Sequence, residues 1–165
     1  MEAIVQPRVW ADFPAGRDEL FRNLRSAQGE QMVLDENFFV EVVLPRSIMR
    51  KLSEEEMNAY RAPFRDREAR LPTLVWPREL PIEGEPADVV EIVEKNAEWL
   101  KQSSALPKLV IHGDPGGGTA APARAFSHSL PNIRELTVKG RHHLHEDAPK
   151  EIGEAVRDFV LGLGT

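Results

Sequence analysis

The densest group of side chains able to move a proton lies in Gly140-Arg141-His142-His143-Leu144-His145-Glu146-Asp147-Ala148-Pro149. Of the chain's five histidines, His142, His143 and His145 fall in this stretch. They follow an apolar run, residues 133–138, that reads as a strand. A residue placed just beyond such a strand projects from the carboxyl edge of a parallel sheet, where open α/β sheets hold their sites. A neutral imidazole there is suited to act as a general base near pH 7, and His142, two residues past Gly140, is the candidate. The same position suits a solvated loop histidine equally well.

Two carboxylates compete to orient that base. Asp114, in His112-Gly113-Asp114-Pro115, follows a second short apolar run, the place from which hydrolases of α/β type often supply the orienting acid. Glu2 is the other, although a second residue ordinarily belongs to a frayed terminus. No G-x-S-x-G motif or comparable strand-turn-helix elbow offers a nucleophile, so the attacking group is expected before Met1 and the chain reads as the back part of an enzyme. A metal reading is weaker. His143, His145 and Asp147 make the H-x-H-x-D half of a hydrolytic dinuclear-metal motif, but Ala148 stands where another histidine is needed and none lies downstream. No metal and no cofactor are expected.

These groups need a scaffold. After Leu80-Pro81-Ile82-Glu83-Gly84-Glu85-Pro86, which can continue neither a helix nor a central strand, helix and strand patterns alternate. Pro86 opens a helix with Val89, Val90, Val93, Ala97 and Leu100 on one face. Strands are expected at 108–112, closed by Gly113, and at 133–138, with a weak helix over 120–130 and a long one over 147–163. That order implies parallel pairing through right-handed crossovers. Two parallel strands cannot cover their flanking helices, so the sheet is expected to be the end of a larger one. Residues 1–82 read instead as short helices. Residues 18–26 put Leu20, Phe21 and Leu24 on one face, the apolar stretch 37–44 favours a buried helix over a strand, and Ser53-Glu54-Glu55-Glu56 is a capping box. The fold class is α/β with a helical cap over 1–82 and a core segment over 83–165.

Composition bounds the partners. The chain has 165 residues, 27 acidic and 21 basic, with a net charge of −6, and the charges are interspersed. It lacks the basic face that nucleic acid or an anionic membrane requires, so neither is expected as a partner. No run approaches the roughly 20 apolar residues that span a bilayer. Zero cysteines suit a reducing, cytoplasmic setting.

Several segments together carry a resemblance: Met1-Glu2-Ala3-Ile4, Trp10-Ala11-Asp12-Phe13-Pro14, Asn37-Phe38-Phe39-Val40-Glu41, Tyr60-Arg61-Ala62-Pro63-Phe64, Pro72-Thr73-Leu74-Val75-Trp76-Pro77-Arg78, Gly84-Glu85-Pro86, and Gly140-Arg141-His142 with Glu146-Asp147-Ala148-Pro149. In order and over nearly the whole chain, they resemble the C-terminal part of haloalkane dehalogenases, in the α/β-hydrolase superfamily. The coelenterazine luciferase of Renilla type is similar as well. The resemblance implies a cofactor-free hydrolase acting on small halogenated aliphatic substrates. An Asp nucleophile on an N-terminal segment forms an alkyl ester, and a His-activated water cleaves it. It assigns His142 as base and Glu2 as orienting acid, with Asp114 second. It also implies that Phe21, Phe39, Val43, Trp76 and Pro77 wall an apolar substrate pocket. Ser47, Gly117 and Gly118 stand where such enzymes often carry bulkier groups. Expected partners are therefore the substrate and the N-terminal segment of the same fold. Self-association through an uncovered apolar edge is a further expectation.

Overall fold

The structure is a computed structural model that describes residues 4–118 and 120–164. Gly16, at φ 80°, turns the chain into α1 (Arg17–Arg25), a conformation for which a residue without Cβ is suited. Ser26 ends that helix, and its Oγ accepts the Gln28 amide at 3.2 Å to cap α2 (Ala27–Glu30). The chain then winds more widely through a π turn, Gln31–Asp35, and a second, Phe39–Val43, which runs into α3 (Leu44–Arg46). The apolar stretch 37–44 is thus helical, as its flanks and length suggest. The capping box forms as expected: Ser53 Oγ accepts the Glu56 amide at 3.2 Å while Glu56 Oε2 accepts the Ser53 amide at 2.7 Å, opening α4 (Glu54–Arg61). Helix α5 (Leu71–Arg78) completes this half.

Two apolar clusters hold these short helices together, since none is long enough to be stable alone. Leu24, Val33, Leu34 and Leu74 pack with Leu20, Phe21, Phe38 and Phe39. Val40, Leu44, Ile48, Leu52 and Met57 pack with Tyr60 and Phe64. Irregular backbone between them is tied by Arg70, whose guanidinium donates to the carbonyls of Phe64 (2.8 Å), Leu34 (2.8 Å), Asp35 (3.2 Å) and Arg65 (2.9 Å).

The second half alternates as expected: α6 (Ala87–Gln102), β1 (Lys108–Pro115), α7 (Ala120–Ser127), β2 (Ile133–Gly140), α8 (Leu144–Asp147) and α9 (Pro149–Leu161). Strands β1 and β2 pair in parallel from Lys108 beside Ile133 to Pro115 beside Gly140. Each therefore runs further than its apolar run, because the ladder continues through Gly113, Asp114 and Pro115 as long as the neighbouring strand accompanies it. Leu109, Ile111, Leu136 and Val138 share the sheet face covered by Leu144, Ala148 and Ile152.

The long helix expected over 147–163 starts later, at Pro149, and Asp147 belongs to a separate short helix. Ala148 leaves the helical region, at φ −137° and ψ 50°, because the residue before a proline is pushed out of αR, and Pro149 then starts α9. Asp147 consequently closes α8 instead of opening the last helix. Pro86 likewise precedes its helix as the cap, with Ala87 first. No helix among the described residues is long and apolar enough to cross a membrane. Several apolar side chains stay exposed, among them Ile92 and Trp99 on α6 and Val156, Val160 and Leu161 on α9.

Candidate functional site

At the carboxyl ends of both strands, Leu144 fills the gap left by two glycines. It is fully buried. A Cβ on Gly113 would lie 2.7 Å from Leu144 Cδ2 and 2.9 Å from the Gly140 carbonyl oxygen, and one on Gly140 would lie 2.9 Å from Leu144 Cδ2 and 3.0 Å from Asp147 Cβ. These close approaches let the 141–147 loop sit directly on the strand ends, from which His142 emerges.

The other side of the loop is held by the segment joining α3 to α4. The His143 amide donates to the Ser47 carbonyl at 3.0 Å, and Arg141 Nη1 donates to the Arg46 carbonyl at 3.0 Å. The Asp147 carboxylate bridges the two chains of residues: Oδ2 accepts the Arg141 amide at 2.9 Å and Oδ1 the Met49 amide at 2.8 Å. Glu146 adds a second bridge, its Oε2 2.5 Å from Arg50 Nη2 and its Oε1 accepting the Tyr60 hydroxyl. Arg50 also pairs with Glu56 at 2.8 Å. The Tyr60 hydrogen bond, foremost, and Arg50 hold the Glu146 carboxyl below its ordinary range, while the Glu146 anion pushes Tyr60 up to about 12.

His142 is exposed, and its ring meets that of His143 edge to face, centroids 5.3 Å apart at 89°. His143 in turn meets His145 at 5.7 Å. Burial, then the neighbouring His142 and His145, lowers the pKa of His143, which keeps it neutral beside the candidate base. Asp114 is exposed at the end of β1, in register with Lys139 of β2, so it shares the sheet edge from which His142 leaves. Glu2 lies outside the described residues.

The five pocket candidates are spread over the helical half. Phe21 packs tilted against Phe13, ring centroids 5.1 Å apart, and Phe39 meets Phe38 edge to face at 6.3 Å. Val43 is half-buried, Pro77 is buried, and Trp76 is 75 % exposed. Two cavities lie elsewhere. One of about 90 Å³ is bounded by Val5, His112, Phe126 and Ser127 among others, and an open groove of about 490 Å³ runs between Glu41, Met57 and Arg141. No three His, Asp or Glu side chains among the described residues are grouped to hold a metal ion.

Two further polar arrangements were not foreseen. His112 Nε2 lies 2.9 Å from Glu135 Oε1, which also accepts from Ser127 Oγ at 3.1 Å, and the His112 contact, foremost, lowers the Glu135 pKa. This follows from strand register, which places Glu135 and Thr137 on the face of His112. Arg8 is 2 % exposed, and its three guanidinium nitrogens find no hydrogen-bond partner among the described residues. Burial lowers its pKa against the opposing pull of Asp12.

No known family model matches the chain. Among curated proteins, a haloalkane dehalogenase of Sphingobium indicum is 52% identical over 164 residues, covering 99% of this chain and 55% of its own length. The chain is similar to the C-terminal part of the haloalkane dehalogenases. A coelenterazine h 2-monooxygenase of Renilla reniformis is 43% identical over 153 residues, or 92% of this chain and 49% of that protein. The solved haloalkane dehalogenase of Bradyrhizobium elkani superposes with a TM-score of 0.90 at 46% identity, over 96% of this chain and 56% of that one. Part of the α/β-hydrolase fold is thereby shared. The chain spans about half the length of the dehalogenases it matches.

Proposed function

We propose that this chain provides the helical cap (residues 1–82) and the base-bearing core segment (residues 83–165) of a haloalkane dehalogenase. The reaction is hydrolytic: haloalkane and water give alcohol, halide and a proton. A carboxylate from an N-terminal segment displaces halide from carbon, forming an alkyl ester. His142 then removes a proton from water as that water attacks the ester carbonyl, releasing the alcohol and restoring the carboxylate. Glu2 supports the imidazolium, with Asp114 as the alternative acid. Phe21, Phe39, Val43, Trp76 and Pro77 form the apolar wall once the other segment is present, which would cover the exposed indole of Trp76.

The observation carrying this reading is the placement of His142 on a pinned loop at the carboxyl edge of the sheet, in a chain 52% identical to a dehalogenase. The reaction needs no cofactor, and the compartment we assign is the cytoplasm, in keeping with the absence of cysteine. Exposed Ile92, Trp99, Val156 and Val160 favour a second reading for the chain by itself, an α/β-hydrolase piece that acts by binding a partner or itself.

The test is complementation. The chain is mixed or co-expressed with the N-terminal segment of the Sphingobium indicum relative, and bromide release from a short bromoalkane is followed. Release by the pair but not by the chain alone, abolished by His142→Phe, is the expected result. Light from coelenterazine without halide release would move the assignment to the luciferase-like reading. An associated but inert pair would support the interaction module.

A further inference from the structure

His142 lies between two residues whose backbone amides are both pinned. The amide before it, Arg141 N–H, is held by Asp147 Oδ2 at 2.9 Å. The amide after it, His143 N–H, is held by the Ser47 carbonyl at 3.0 Å. The segment carrying Ser47 is itself fixed by Asp147, whose Oδ1 accepts the Met49 amide at 2.8 Å, 98 residues away in sequence, and sits 3.5 Å from the Arg50 amide. One carboxylate therefore sets both anchors, the first directly and the second through the helical half. The surroundings leave this carboxylate little room to move. Asp147 Cβ and Oδ2 would stand 3.0 and 3.3 Å from a Cβ on Gly140, and Leu144 fills the remaining gap at the strand ends.

We propose that Asp147 is a positioning residue for His142: by joining the Arg141 amide to the Met49 amide it fixes the direction in which the imidazole leaves the sheet and makes that direction depend on the helical half. The proposal rests on the reading of His142 as the base. The chemistry needs a carboxylate, because two amide donors arrive at its two oxygens. An Asn keeps one acceptor and turns an N–H₂ toward the other donor, so one anchor must be lost.

The test uses the full chain with ¹³C,¹⁵N-labelled histidine and backbone amides, comparing the parent with Asp147→Asn. The expected result is a native amide spectrum in which the Arg141 or Met49 amide exchanges on the order of tenfold faster, the loss of one hydrogen bond. The His142 Cε1–Hε1 signal moves with it, because its edge-to-face contact with His143 changes. Faster exchange with an unmoved His142 signal would make Asp147 a staple for stability alone and overturn the proposal. If Asp147→Asn does not fold, Asp147→Ser, which leaves a short acceptor near Arg141, is read in the same way. Failure of both to fold also overturns it. This readout does not involve turnover. A complemented pair still active with His142→Phe would remove the reading of His142 as base while leaving the measured link between Asp147 and the ring intact.

Discussion

Tyr60, on α4, donates its hydroxyl hydrogen to Glu146, 86 residues further along the chain and one residue before the end of α8. With Arg50 on the same carboxylate, that contact joins the helical half to the loop carrying the candidate base. A hydrogen bond to a charged acceptor contributes about 1.5–3 kcal/mol when sheltered, and the half-buried setting places this one at the lower end. Tyr60→Phe is expected to lower unfolding stability by about 1–2 kcal/mol, read by urea denaturation with an unchanged m value. Loss of less than a few tenths would show that the contact does not hold the two parts together.

The same pair sets a pH window. Glu146 has a lowered pKa in the folded state, so its contribution is complete above the unfolded carboxyl value and lost as pH falls through the folded one. Tyr60, raised to about 12, works in the opposite sense: its contribution is complete below the unfolded value near 10 and lost as pH climbs toward 12. Stability measured against pH should therefore fall at the alkaline end in the parent. Tyr60→Phe should flatten that limb between about pH 10 and 12.

His143 adds an acid-side effect. Its folded pKa is lowered, so the unfolded chain binds the extra proton first and stability decreases as pH drops below about 6.5. His143→Phe keeps an aromatic edge toward His142 and removes the proton site. A melting series across pH 7 to 5 should show a shallower decline in the variant, and an identical decline would assign the effect to other groups.

Arg8 is the place where substitution should strengthen the chain. Its guanidinium is buried without a hydrogen-bond partner among the described residues, and an unpaired buried charge costs more than the roughly 1–3 kcal/mol of a neutral orphan. Arg8→Met, similar in length and apolar, should raise stability by about 1–3 kcal/mol in denaturant titration. A decrease would mean that the cation is matched by a group outside the described residues.

The two strand-end glycines admit no side chain. Gly113→Ala would set its methyl 2.9 Å from the Gly140 carbonyl oxygen, backbone that cannot turn aside, and should cost about 1–3 kcal/mol. Gly153→Ala on the open face of α9 meets nothing within 4 Å and should instead gain up to about 1 kcal/mol. Thermal melts of the two variants should shift in opposite directions.

Much of this architecture was legible from local pattern. Ser53 and Glu56 announced their cap, the apolar face of α6 was readable from spacing, and helix–strand alternation gave the parallel pair. What escaped depended on distance in the sequence. The Asp147 link to Met49, the Tyr60 contact with Glu146 and the pairing of His112 with Glu135 each require knowing which elements meet and in what register. The break at Ala148 was local and could have been read from Pro149, whose effect on its predecessor outweighs the helical periodicity on either side. His142 and Asp114 stood out as candidates because each follows an apolar run. Their supports were not, because a carboxylate that receives backbone amides leaves no compositional signature.

Arg70 carries one last implication. Its planar fork serves four carbonyls drawn from two stretches of chain, residues 34–35 and 64–65. An ammonium offers three donors around a point and cannot spread across that span. Exchanging Arg70 for Lys would preserve charge and bulk yet strand acceptors on both sides at once, so the helical half is keyed to the shape of this cation and not merely to its sign.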